Sequence, residues 1–279
     1  MRFLEDQAGR SIKVPKRPER VVSLAPSITE IIYALGCQDR LKGATRFSDY
    51  PEEARDIPRV GSYVSLDLEK IISLNPDVCV AIKDGNPGSV IRRLEALDVP
   101  VFAVNPRGID SVMGAVEHIG ELLDESRRAE AVTTEMKRRI QAVETRVEVA
   151  ENRPRVFFQI GISPIVSAGN DTFIDELIVK AGGRNVAGDR RSYPRFSREE
   201  ILELAPEVVV ITSMARSKAF EQVKEEWERW QEVPAAAEGR VYLVDSDLYD
   251  RPSPRLARAL EELARLIHPE LFPGPNRVD

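Results

Sequence analysis

The side chains that most often perform chemistry are scarce in this sequence. Among 279 residues there are two histidines and two cysteines. His118 falls inside a long helical stretch, and His268 stands beside Pro269 near the C-terminus. Neither has further ligands at metal-binding spacing, and a zinc- or manganese-type site would need a His/carboxylate cluster. Cys37 ends a helical segment and Cys79 sits inside an apolar run, so both read as small core residues rather than a disulfide. No glycine-rich phosphate loop and no serine nucleophile elbow follows an apolar run. Carboxylates are numerous, but numbers alone do not make a pair poised for acid–base work.

What remains is aromatic and placed in turns. Tyr50 lies in "RFSDYP", Tyr63 in "GSY" and Tyr193 in "RRSYP"; "SDLYDRPSP" carries Asp247 and Arg251. A single tyrosine in a turn is ordinarily a half-buried packing residue, and an exposed Asp–Arg pair contributes at most ~1 kcal/mol. Taken together, these residues describe an aromatic-lined cleft. Such a cleft suits a large, flat, partly apolar ligand, because aromatic faces bury much area at little entropic cost. Arg251 and Asp247 would then meet the polar groups at the ligand's edge.

Those turns must be held by something regular. "RVVSLAP" reads as a strand, and Ser27 with Glu30 as a capping box opening the helix "ITEIIYALG", which Gly36 stops. "LKGAT" is a short strand. "LDLEKIISL" is a helix offering Leu68, Ile71, Ile72 and Leu74 to a core, closed by Pro76 before the strand "DVCVAI". The helix "SVIRRLEALD" and the strand "VPVFAVN" complete the series. Strands separated by helices indicate parallel βαβ units, whose ligands meet the carboxyl ends of the strands.

From Ser111 to Ala150 there is no proline, and apolar residues recur three or four apart. A single helix of that length would extend about 60 Å, so a break near Asp124–Ser126 is expected, with a short helix before it and a long one after it. The strand–helix pattern then restarts. "RPRVFFQIG" corresponds to "PERVVSLAP", "FIDELIVKAGG" to "ITEIIYALG" and "GRVYLVD" to "VPVFAVN", and "SPRLARALEELARLI" closes the chain as an amphipathic helix. Tyr63–Ile82 and Tyr193–Thr212 share seven of twenty residues at an offset of 130, which keeps Tyr63 in phase with Tyr193 and Glu69 with Glu199. That period is the size of a domain. The expected organisation is an N-terminal α/β lobe (1–110), a stiff helical connector (111–150) and a C-terminal α/β lobe (151–279).

The net charge of −6 argues against a nucleic-acid partner. No apolar run approaches the ~20 residues that span a bilayer. Met1 leads directly into "RFLEDQAGRS" with no apolar signal core, so the chain is expected to be either cytosolic or a mature domain without its targeting segment.

The segments "RVVSLAPSITEIIYALG", "RFSDYP", "LEKIISLNPDVCVA", "RVFFQIG", "SREEILELAPEVVVIT" and "SPR" resemble the class III periplasmic substrate-binding proteins of ABC importers, and among them the cobalamin binders. The resemblance runs from about Arg20 to Ile267. It implies two Rossmann-like lobes joined by a long helix, a monomer that catalyses nothing and holds no cofactor, and a corrinoid carried between the lobes as cargo. Carried over by position, Tyr50, Tyr63 and Tyr193 fall on aromatic ligand contacts and Asp247 and Arg251 on polar ones. Ile82 and Val166 stand where the cobalamin binders have bulky aromatics, which reshapes the pocket edge and keeps haem and ferric siderophores open as cargo. Glu69 and Glu199 fall on the pair that docks onto arginines of the permease dimer, although a first-turn helix carboxylate is also favoured by the helix dipole alone. The family's location is periplasmic or otherwise extracytoplasmic, free or lipid-anchored. A cytosolic corrinoid-handling protein or α/β enzyme is the alternative outside this class.

Overall fold

A computed structural model describes residues 1–212 and 219–273. The chain divides into two compact units. The first comprises Met1–Pro106 and Asp110–Met136, and the second Arg107–Ile109 and the chain from Lys137 onward.

The first unit opens with an antiparallel hairpin, β1 (Arg2–Glu5) and β2 (Ser11–Val14). Next come β3 (Val21–Ser23), α1 (Pro26–Ala34), β4 (Leu41–Gly43) and a small hairpin of β5 (Gly61–Ser62) and β6 (Ser65–Leu66). After these come α2 (Leu68–Ser73), β7 (Val78–Ile82), α3 (Gly88–Ala96) and β8 (Val101–Val104). β3, β4, β7 and β8 form one parallel sheet in the order β4-β3-β7-β8. Val21, Val22, Val78, Cys79 and Val80 have no exposed surface, as expected of a parallel sheet covered on both faces.

Two helices follow, α4 (Ile109–Leu122) and α5 (Ser126–Val147). The expected break is present: Asp124 adopts a left-handed φ of 59°. Arg40 reaches this turn, donating to the Leu123 carbonyl and pairing with Glu125. From Asp110 onward α4 lies in the first unit, burying Val112, Ala115, Val116, Ile119 and Leu122, and α5 runs from the first unit into the second.

The second unit contains β9 (Arg155–Gly161), β10 (Ile165–Ser167), α6 (Phe173–Lys180), β11 (Arg184–Asn185), β12 (Arg195–Phe196), α7 (Arg198–Leu204) and β13 (Val208–Ile211). It ends with α8 (Ala219–Glu228), α9 (Pro234–Ala237), β14 (Val241–Leu243), α10 (Ser246–Tyr249) and α11 (Leu256–Ile267). The parallel set β11-β9-β13-β14 reproduces the first unit's β4-β3-β7-β8. β10 and β12 extend it as antiparallel strands. The duplication read from the sequence is therefore also a duplication of topology, with β10 added between β9 and α6 and β12 between β11 and α7.

Three local expectations are corrected. Ser27 does not cap α1: the helix starts two residues earlier, at Pro26, with Ala25 as its cap residue and no side-chain cap. Proline suits the first helical position because its φ is already helical and its missing N–H is one that would have no partner inside the helix. Ile72 is 40% exposed; α2 is only six residues long and turns Ile71 alone fully inward. The helix ends at Ser73, before Pro76, because Asn75 turns left-handed at φ 48°.

Candidate functional site

Parallel strands place all their carboxyl ends on one edge of a sheet, so each unit has one such rim. In the first unit the rim follows Ser23, Gly43, Ile82 and Val104. Tyr63 occupies the tip of the β5–β6 hairpin and packs, half buried, against the core cluster under α1. Gly61 makes this hairpin possible: its φ is +92°, and a Cβ there would collide with the Ser65 carbonyl. Ile82 closes β7 and is half buried. Tyr63 Cδ2 and Ile82 both lie against Gly85, where an added Cβ would stand 3.9 Å from the tyrosine and 3.3 Å from the isoleucine. Tyr50 lies in the loop after β4 and is 43% exposed.

In the second unit, Val166 pairs with Gly161 at the end of β9 and with Arg195 of β12. Tyr193 precedes β12 on a segment that runs beside β10, with Ser167 N–H donating to Pro194 and Gly169 N–H to Ser192. Tyr193 itself is 52% exposed. Asp247 and Arg251 lie beyond β14, in and just after α10. They are joined by a 2.6 Å ion pair in which Arg251 is buried, so this is not the loose surface pair an Asp–Arg spacing of four usually makes. Arg255 donates to the Asp247 carbonyl and fixes the same turn. β10 and β14 are separated by β9 and β13, three strand spacings or about 14 Å. The structure thus groups Tyr193 with Val166, and Asp247 with Arg251, at two separated points of one rim. It groups Tyr63 with Ile82 on the other unit.

Two rim features escaped the sequence reading. Thr212, at the end of β13, donates to the Asp250 carboxylate at 3.0 Å, so the strand end is tied to the turn carrying Arg251. Burial, with Asp247 and Asp245 nearby, pushes the Asp250 carboxyl up to about 7 despite that hydrogen bond. Asn86, 8% exposed, bonds to Leu24, Tyr63 and Ile82 together. In the sequence it is only one polar residue in the turn "DGNPG"; the sole available signal was its position just past a strand end.

Glu69 and Glu199 hold the second position of α2 and α7. Asp67 caps the first helix by accepting from Lys70 N–H, and Ser197 with Glu200 makes a full capping box on the second. With the cap donors already satisfied by neighbours, both glutamates are exposed, and neither has an ion-pair partner among the described residues.

The remaining chemistry-bearing residues are structural. His268 is buried and bridges the Gly182 carbonyl and Glu270; His118 bonds the Gly114 carbonyl in its own helix. Cys37 and Cys79 are free and buried, and burial raises the Cys79 thiol to about 12. Among the described residues no group of three or more His, Cys, Asp or Glu is placed to hold a metal ion. A cavity of about 570 Å³ near His268 and Arg240, and one of about 330 Å³ walled by Phe196, Trp227 and Trp230, are lined by none of the predicted site residues.

The profile of the periplasmic binding protein family matches residues 21–248. The chain belongs to that family. Periplasmic binding proteins of this class are substrate-binding components of ABC transporters rather than enzymes, and the two-unit α/β fold is theirs. An ABC transporter substrate-binding lipoprotein of Bacillus subtilis is 32% identical over 96% of this chain and 86% of its own length. A vitamin B12-binding protein of Vibrio parahaemolyticus is 30% identical over 88% of both chains. Among solved structures, a periplasmic heme-binding protein from Roseiflexus, in apo form, is 26% identical, covers 91% of this chain and 99% of its own, and gives a TM-score of 0.81. The periplasmic binding protein fold is therefore shared by proteins whose names specify different ligands. No described helix is long and apolar enough to cross a membrane.

Proposed function

We propose that this periplasmic binding protein captures a corrinoid outside the cytoplasm and delivers it, as cargo rather than cofactor, to the permease of an ABC importer. The observation that carries the reading is the placement of Tyr50, Tyr63, Tyr193, Asp247 and Arg251 at the carboxyl rims of their sheets, together with 30% identity to a vitamin B12-binding protein. Large aromatic faces supply most of the contact area, and the Asp247–Arg251 pair offers a buried cation and a carboxylate to the ligand's polar periphery. Because that pair is already formed, little side-chain ordering remains for binding. Glu69 and Glu199, exposed at equivalent places on the two units, would meet a permease built from two like subunits.

Titrating the protein with cyanocobalamin by calorimetry tests the ligand: binding that hemin and ferric siderophores do not displace supports the corrinoid. The haem reading has its own support, since Ile82 and Val166 are slender and a heme-binding protein shares the fold at a TM-score of 0.81. Displacement of cyanocobalamin by hemin, or hemin binding alone, would establish it instead. Reversing Glu69 and Glu199 to Lys should leave cyanocobalamin affinity unchanged and abolish co-purification with the cognate permease. Docking that survives the double reversal removes those residues from the interface.

A further inference from the structure

The carboxyl rim of the first unit converges on one side chain. Asn86 Nδ2 donates to the Leu24 carbonyl at 2.8 Å and to the Tyr63 carbonyl at 2.9 Å; its Oδ1 accepts from Ile82 N–H at 2.7 Å. Two carbonyls on one side and an N–H on the other fit a single orientation of the amide. These partners belong to three elements: Leu24 follows β3, Ile82 ends β7, and Tyr63 is the hairpin tip between β5 and β6. Asn86 is buried and anchors its own backbone to the same place, its N–H donating to the Ile82 carbonyl at 3.1 Å.

We infer that Asn86 is a positioning residue: its amide fixes the Tyr63 hairpin against the ends of β3 and β7, and so sets where Tyr63 and Ile82 meet the ligand. The inference rests on the binding reading above for its functional half, and on the three hydrogen bonds alone for its structural half. A two-residue hairpin tip has few anchors of its own; here Ser65 N–H also bonds Ser62 within the hairpin. Removing the amide leaves two carbonyls, the buried one of Leu24 and the part-buried one of Tyr63, and one N–H without their partner, and releases the tip. No asparagine oxygen faces the ligand in this scheme; Asn86 acts through Tyr63.

The test uses Asn86→Ala and Asn86→Asp in the full chain, the aspartate keeping the acceptor for Ile82 and losing both donors. The first measurement needs no ligand: backbone ¹⁵N order parameters at Tyr63 and Val64 should fall in both variants while those of β7 hold. Unchanged order at the hairpin tip overturns the inference. The second is a cyanocobalamin double-mutant cycle with Tyr63→Ala. Asn86→Asp should weaken binding about tenfold in the parent and less than twofold when Tyr63 is already alanine. Full additivity overturns the positioning role, since a general loss of fold would act equally in both backgrounds. If the parent binds no cyanocobalamin, the corrinoid reading fails and the order parameters alone decide Asn86. Should Asn86→Ala not fold, Asn86→Asp carries both measurements.

Discussion

In the first unit Arg20 Nε donates to the Asn75 carbonyl while Asp77 accepts from Arg20 N–H; in the second, Arg155 Nε donates to the Ala205 carbonyl while Glu207 accepts from Arg155 N–H. The four distances lie between 2.8 and 2.9 Å. At the amino ends of the strands the two units are thus built alike, down to a left-handed residue at Asn75 and again at Ala205. At the carboxyl ends they differ. Asn86 gathers three elements in the first unit, whereas Thr212 and Asp250 join two in the second. Tyr63 is half buried against its core and Tyr193, its counterpart at an offset of 130, is 52% exposed. The end of a βα unit that only closes the fold has kept its solution twice. The end at which α/β sheets of this kind ordinarily meet ligands has two solutions.

The likeness is broken most severely in the core. Ile71 and Ile201 are fully buried at equivalent turns of α2 and α7. Replacing either with Ala should cost about 2–5 kcal/mol, the combined loss of transfer energy and residual cavity. The two losses, measured by urea denaturation, should agree within about 1 kcal/mol if the units share packing as well as topology. A cost below that at one site and several-fold larger at the other would show that the duplication stops at the backbone.

The difference between the rims is sharpened by pH. Asp250 is raised from 3.8 to about 7 in the folded protein, chiefly by burial. Between those values the native state holds a proton that the unfolded chain has released, so stability falls as pH rises through this window. Below about pH 4 both states are protonated and the penalty disappears; above about pH 7 it is complete, on the order of 4 kcal/mol. Asp250→Asn keeps an acceptor for Thr212 and cannot ionise. The substitution should therefore raise the melting temperature at pH 8, change it little at pH 4, and remove most of the slope between. An unchanged slope would mean that Asp250 is ionised at little cost and that the turn beside Arg251 is better solvated than its packing implies.

These comparisons show why the sequence was legible in some places and not others. Parallel strands announced themselves through "VVVI" and "VCVAI", because both sheet faces are covered and nearly every residue must be apolar. The repeat was visible because Pro76/Pro206 and Glu69/Glu199 keep their phase. The start of α1 was misplaced because Ser27 and Glu30 match a capping pattern, while the helix already begins at Pro26, whose fixed φ favours the first helical position. Asn86 and Asp250 were invisible for another reason. Their importance lies in which chain segments the fold brings to them, and an asparagine or aspartate in a turn has the same local signature whether it faces water or three strand ends. The position 130 residues beyond Asn86 is Arg216, outside the described residues.

The smallest effect tests the likeness at its finest grain. Asn75 and Ala205 occupy the same left-handed position after their helices, at φ 48° and 43°. Asparagine tolerates that region because its side chain can bond locally; alanine brings a Cβ close to the following carbonyl and gains nothing in return. Ala205 is therefore the strained copy. Ala205→Gly should stabilise the protein by about 1 kcal/mol, Ala205→Asn by somewhat less, and Asn75→Ala should destabilise it by about as much as Ala205→Asn gains. The glycine figure includes its extra freedom in the unfolded chain, which opposes the relief of strain. Denaturation midpoints in urea at constant slope resolve changes of this size. If Ala205→Gly lowers the midpoint, the Arg155 clamp holds that residue without strain. The equivalence of the two helix ends would then be one of hydrogen bonds and not of backbone energy.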